Sequence, residues 1–288
     1  MTVATLRAGS PIVALGVLAL LGAPGGVDAQ NGSGIRIPAS LPAIEPPDVP
    51  FGPGEQLIYQ VKLGALDVGE GFLQVLPIDT VRGRSVYPVE LGLNGSTAFG
   101  MMKVRDIFRS WIDVETLASL RFHKDQHELT YKSRKHYDIF PERQEWTRTD
   151  AEQTGTTLTD LPLDEIAFIY FIRTLDLEVG EEYTFNHYFK EDGNPVVLRV
   201  LRRERKKVPA GTFDTIVVQP IIQTDGLFSE GGKAEVYLTD DAERHIVYLS
   251  SEVPIVGSLT LLLKEIRDPS IAGSVSRAES GGDGGNTR

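Results

Sequence analysis

Leu57-Ile58-Tyr59-Gln60-Val61-Lys62-Leu63 is the stretch that decides the fold. Its apolar residues at 57, 59, 61 and 63 share one face of an extended chain, while Gln60 and Lys62 share the other. That is the period of a half-buried strand. The same period of two recurs in Val86 to Leu93, Ile107 to Ile112, Leu129 to Ile139 and Tyr183 to Phe189. It returns in Val196 to Leu201, Phe213 to Ile222, Ala234 to Leu238, Ile246 to Val253 and Leu259 to Leu263. Turn residues separate these runs, as at Arg82-Gly83-Arg84, Glu191-Asp192-Gly193-Asn194 and Pro209-Ala210-Gly211. Glycine supplies a positive φ there and Asn or Asp tolerates it. About a dozen short strands with hairpin connections predict a mainly β fold, a large antiparallel sheet that curls or forms an incomplete barrel.

One segment breaks the alternation. Asp160-Leu161-Pro162 precedes Leu163-Asp164-Glu165 and an apolar run from Ile166 to Ile172. Proline and carboxylates suit a helix N-terminus, by φ and by the helix dipole. Because 166 through 172 are all apolar, this helix is expected to be covered on most sides, packed in or over the concave face of the sheet. The adjacent acids Asp164/Glu165, Glu181/Glu182 and Asp240/Asp241 point apart on a strand or helix, and read as helix starts and solvated turns.

Outside these elements the chain changes character. Residues 1–29 carry Arg7, an apolar run from Ile12 to Leu21, a Pro24-Gly25-Gly26 break and Val27-Asp28-Ala29, the pattern of an export signal cleaved after Ala29. The run is about half the ~20 residues that cross a bilayer. No transmembrane span is therefore expected after cleavage, and the product is expected to be soluble in the periplasm or outside the cell. Residues 30–50 hold five prolines and read as an extended linker. One β-rich domain is expected over 51–268, and the Gly- and Ser-rich 269–288 reads as a disordered tail.

The chain has 288 residues, 29 Lys+Arg, 40 Asp+Glu and no cysteine. A net charge of −11 argues against a nucleic-acid partner, which requires a basic face to displace counterions. Without cysteine there is no disulfide, no thiolate metal site and no lipid attachment through an N-terminal Cys. His123 and His127 have zinc-helix spacing, but on a strand four residues span about 13 Å, too far for one metal. His136, His187 and His245 read as isolated, so no metal and no cofactor are expected. Nucleophile-elbow, phosphate-loop and dinucleotide motifs are absent. Ser96 falls in what reads as a loop, Asn94-Gly95-Ser96-Thr97, with nothing to hold it as a nucleophile. The reading is a non-enzyme.

Two features point to a ligand. The loop Phe99-Gly100-Met101-Met102 carries two of three methionines, soft side chains that line adaptable apolar sites. Phe168, Tyr170 and Phe171 stand on the apolar helix. These six residues (Phe99, Met101, Met102, Phe168, Tyr170, Phe171) are the candidate ligand-binding set. The basic run Arg199, Arg202, Arg203, Arg205, Lys206, Lys207 is read as a solvated face that protects a sheet edge.

Several blocks in order resemble the bacterial exported family known as domain of unknown function 3108. They are Gly54-Glu55-Gln56-Leu57-Ile58-Tyr59 with Gly69-Glu70-Gly71, Val104-Arg105-Asp106 leading to Ser110-Trp111-Ile112-Asp113, and Tyr170-Phe171-Ile172-Arg173-Thr174-Leu175. Val208-Pro209-Ala210-Gly211-Thr212-Phe213 and Val236-Tyr237-Leu238-Thr239-Asp240-Asp241 complete the set. The resemblance implies an exported, β-rich envelope protein with no assigned activity. The closing blocks also look like those of periplasmic lipoprotein-carrier proteins, half-open barrels over an apolar cavity. The expectation is an envelope protein that binds a lipid or acyl chain in its concavity. The alternative is a structural or interaction component with a filled barrel, whose partner is an envelope protein or the cell-wall polymer. Whether the protein's own side chains fill the concave face separates the two.

Overall fold

Alternating apolar residues bury one side of long strands such as Gln56–Leu63, and the strands pair antiparallel throughout. The computed structural model describes residues 47–96, 103–128, 131–222, 234–253 and 257–267. The expected leader, most of the linker and the tail lie outside them. Fifteen strands are described. They begin with β1 (Gln56–Leu63), β2 (Leu66–Val75), β3 (Asp79–Val81), β4 (Arg84–Ser96) and β5 (Lys103–Asp113). Next come β6 (Ser119–Glu128), β7 (Tyr131–Phe140), β8 (Glu145–Arg148), β9 (Gln153–Thr156) and β10 (Glu182–Phe185). The last are β11 (Val196–Val208), β12 (Gly211–Ile221), β13 (Glu235–Thr239), β14 (Ile246–Val253) and β15 (Gly257–Arg267).

Fourteen strands follow one path, β10-β11-β12-β13-β14-β15-β1-β2-β4-β5-β6-β7-β8-β9, and β3 pairs with β4 beside it. The sheet is mainly sequential hairpins, joined in the middle where β15 pairs with β1. It is not closed into a barrel, as expected for a curled sheet of this size. Its edges, β9 and β10, are stitched by irregular chain instead. Leu163 and Tyr188 form a parallel bridge, Leu163 N donates to His187 O, and Phe189 N donates to Leu163 O. Thr156 Oγ1 donates to Glu191 Oε2 at 3.1 Å, and Lys190 Nζ donates to the Tyr137 hydroxyl.

The single α-helix among the described residues, α1 (Glu165–Ile172), lies against the sheet's inner face. Ile166, Ala167, Phe168, Ile169, Tyr170 and Ile172 are all buried, in one cluster with Leu57, Tyr59, Leu73, Leu91, Leu249 and Leu261. Each large apolar side chain so buried contributes about 1.5–3 kcal/mol. Beside Ile169, between Tyr59, Leu73 and Leu261, lies a void of about 10 Å³. That is no more than one water-sized sphere.

Asp164 caps the helix, and here the structure corrects the sequence reading. The residue is a helix start but not a solvated one, since it is fully buried. Oδ1 accepts from the amides of Ile166 and Ala167 at 2.9 and 3.0 Å, Oδ2 accepts from Ser110 Oγ at 2.6 Å, and Asp164 N donates to Ser119 Oγ. Two inward serines of β5 and β6 replace the water.

Other differences are local. The run 183–189 does not stay in the sheet; β10 ends at Phe185 because the Asn194 side chain bonds Tyr188 N, Tyr188 O and Lys190 O and turns the chain. Asn94, Gly95 and Ser96 are not a loop but the end of β4, paired with β5. Gly92 and Gly155 hold their places because aromatic rings cross them. A Cβ at Gly92 would stand 2.3 Å from the Phe72 ring opposite, and one at Gly155 2.4 Å from Trp146. Both rings cover the bare backbone.

Candidate functional site

The apolar helix runs straight into a cation. Arg173 follows Ile172, and its side chain is fully buried, so it must find anionic and carbonyl partners or lose its charge. It finds both. Nη1 donates to Glu55 Oε1 at 2.6 Å and Nη2 to Glu55 Oε2 at 2.8 Å, a two-pronged pair with a carboxylate whose side chain is 1% exposed. Nη2 also donates to the carbonyls of Pro50 and Glu243, at 2.7 and 3.0 Å. One guanidinium thus ties together the helix end, the segment before β1 and the β13–β14 turn. Burial is the largest single effect and opposes its charge, but the Glu55 hydrogen bonds and the Glu55 charge, with smaller contributions from Tyr170 and Tyr59, together raise its pKa above the ordinary value.

Aromatic and titratable groups complete the cluster. The Phe51 and Tyr170 rings lie 5.5 and 5.4 Å from the guanidinium carbon and meet each other edge to face at 4.9 Å. His245 Nε2 stands 3.8 Å from Glu55 Oε2. Tyr59 donates its hydroxyl to Ile246 O at 2.9 Å. Burial raises the pKa of both Tyr59 and Tyr170, which keeps the phenols neutral. The Tyr170 hydroxyl and Arg173 Nε are buried with no hydrogen-bond partner among the described residues.

Above this cluster opens a cleft of about 610 Å³, walled by residues 48–53 and 241–244, with Arg173 and Thr174 at its base. Its rim carries Asp48, Asp241, Glu243 and Arg244. The floor cation is already neutralised by Glu55, so the rim leaves the cleft acidic. The arrangement suits a polar or cationic group and offers no nucleophile paired with a base.

The expected ligand residues are not brought together here. Phe99, Met101 and Met102 lie outside the described residues. Phe168 is inside the core, and half-buried Phe171 turns toward Phe185 and His187 at 5.6 and 6.0 Å. Tyr170 packs behind the cleft, against the Phe51 and Arg173 side chains that line it. The basic run is spread along β11 and matched by acids, through Arg199–Glu182, Arg202–Glu235, Arg203–Asp240 and Arg205–Asp214. Beyond Val200, past the start of β10, this strand forms a sheet edge, the place where charge discourages further pairing.

Two histidine readings also change. His245 does not stand alone but faces Glu55. His136 is directly opposite His123 across β6 and β7, with ring centroids 3.8 Å apart.

Sequence reasoning passed over Glu55, Arg173 and His245. The first two lie in the blocks Gly54–Tyr59 and Tyr170–Leu175, and the end of a third block, Asp241, forms the cleft wall. A lone cation after seven apolar residues was the available signal. Such a charge has to be paired inside.

These blocks follow one another along a single stretch, and a family model described as a protein of unknown function, DUF3108, matches residues 58–264. The chain belongs to the DUF3108 family. No curated protein matches this DUF3108 chain. Solved structures similar to it include a β-barrel-like protein of another domain of unknown function, DUF1849, from Brucella abortus. It is 8% identical, with 74% of this chain and 97% of that one covered and a TM-score of 0.48. A candidate lipoprotein from Parabacteroides distasonis is 11% identical over 76% and 98% of the two chains, with a TM-score of 0.32.

Proposed function

We propose that this DUF3108 protein is an exported, non-catalytic component of the cell envelope that works by holding a partner protein at its surface, not by enclosing an acyl chain. The observation that carries the reading is the close packing of the described concave face around α1. Helix α1 is buried by the sheet around it, and the space beside Ile169 is about 10 Å³. An acyl chain has no room there. The usual size of a small-molecule site is ~300–1,000 Å³.

The cleft over Arg173 falls in that range at about 610 Å³. Its acidic rim favours a basic polypeptide segment of the partner over an acyl tail, which would leave the rim carboxylates without water or a cation. Export rests on the leader pattern in 1–29.

The test uses a photo-crosslinking residue in place of Glu243 in the native host, beside a fluorescent fatty-acid titration of the purified protein. The expected result is one discrete crosslinked protein, lost on adding Asp48→Lys, and no saturable probe binding. Saturable binding of the fatty acid with no crosslinked protein would overturn the proposal in favour of a lipid carrier.

A further inference from the structure

On the outer face of the sheet, β6 and β7 place His123 and His136 in direct register. His136 N donates to Asp150 Oδ1 and His136 O accepts from Thr149 N, so the main-chain groups of His136 point away from β6. The two histidines therefore form a non-hydrogen-bonded cross-strand pair, the geometry that brings side chains closest, with Cβ atoms about 4.5–5.5 Å apart. The rings stack with centroids 3.8 Å apart and planes 15° from parallel.

We propose that His123 and His136 form a binding site for a divalent late transition metal, Cu²⁺ above all. Two imidazoles on one sheet face at this separation can turn their nitrogens toward one ion at ~2.0–2.1 Å each, and imidazole suits Cu, Ni and Zn, with Cu²⁺ the strongest of the divalent series. Asp125 is two residues from His123 on the same face. Its Oδ1 lies 3.0 Å from His136 Nε2, where it orients that ring.

Among the described residues no group of three or more His, Cys, Asp or Glu side chains is gathered to hold a metal. Solvent accordingly completes the coordination, which makes the site open and exchangeable.

The surroundings are compatible with a cation. Arg109 is paired with Glu90, Arg121 with Asp138 and Arg134 with Asp125, so each of these neighbouring guanidiniums is bridged to a carboxylate, with Asp138 shared by Arg82. The sequence reading sets aside His123 with His127, which share one strand, and expects no metal; the pair proposed here comes from two strands and cannot be read from spacing.

The experiment adds Cu²⁺ alone to the untagged mature protein in a weakly coordinating buffer. Electron paramagnetic resonance is expected to show two equatorial nitrogens. Fluorescence is expected to fall, because Trp111 lies 4.8 Å from the His123 ring, centroid to centroid. His123→Gln and His136→Gln should each weaken binding at least tenfold, while His127→Gln leaves it unchanged. A wild-type spectrum with one nitrogen or none, or equal affinity in wild type and both variants, would overturn the proposal. The wild-type spectrum decides even where a variant does not fold.

Discussion

Arg173 and Glu55, 118 residues apart in sequence, meet in a two-pronged ion pair with both side chains at most 1% exposed. Desolvation makes such a pair costly to form and costlier to break, because removing one partner strands the other charge. Its place explains its presence. The guanidinium also bonds the carbonyls of Pro50 and Glu243, so the pair fixes both walls of the cleft to the end of α1.

Glu55→Gln is therefore expected to destabilise the protein by about 3–5 kcal/mol in urea unfolding. Arg173→Met combined with Glu55→Gln should recover part of that loss, since no unpaired charge remains. A double variant no more stable than Glu55→Gln would mean that the bonds from Arg173 to the two carbonyls carry the stability.

The helix tests the filled core. Phe168→Ala, at a site 1% exposed, should cost about 3–5 kcal/mol. Phe171→Ala removes a half-buried ring and should cost clearly less. A mild effect at Phe168 would mean that the side chain faces space open to a ligand.

Asp164 gives a pH dependence. Burial, opposed by the Ser110 hydrogen bond, raises its pKa from 3.8 to about 7. The folded state then holds its proton more tightly than the unfolded state. This contribution to stability is fully present below pH ~4 and is lost as pH rises through about 7. Asp164→Asn keeps the cap acceptor without the charge, so its stability relative to wild type should grow between pH 4.5 and 7.5 in urea midpoints. A constant difference would show that Asp164 is ionised throughout.

His123 runs the other way. With its pKa pushed from 6.5 to about 4, its contribution is present above pH ~6.5 and lost as pH falls toward 4. Imidazole proton shifts in NMR should leave His123 untitrated at pH 5.5. A midpoint near 6.5 would contradict the buried, neutral ring.

Much of this architecture is legible in the sequence. Alternation at Leu57, Tyr59 and Val61 correctly gives one buried face, and the unbroken apolar run from Ile166 to Ile172 correctly gives a helix covered on most sides. Periodicity is a property of neighbours along the chain, and these features are local. What escaped is long-range. Glu55 reaches Arg173, Ser110 reaches Asp164 and His123 reaches His136 only once strands are in register. The early end of β10 escaped as well, because the Asn194 side chain, and not the apolar pattern of 183–189, decides it.

The most direct test of the central claim, that the protein fills its own concavity, is a native mass spectrum of protein purified from its own host without detergent. The account predicts a mass that corresponds to the chain from Gln30 onward with no lipid adduct. A stoichiometric lipid or acyl-chain mass that survives desolvation would contradict it.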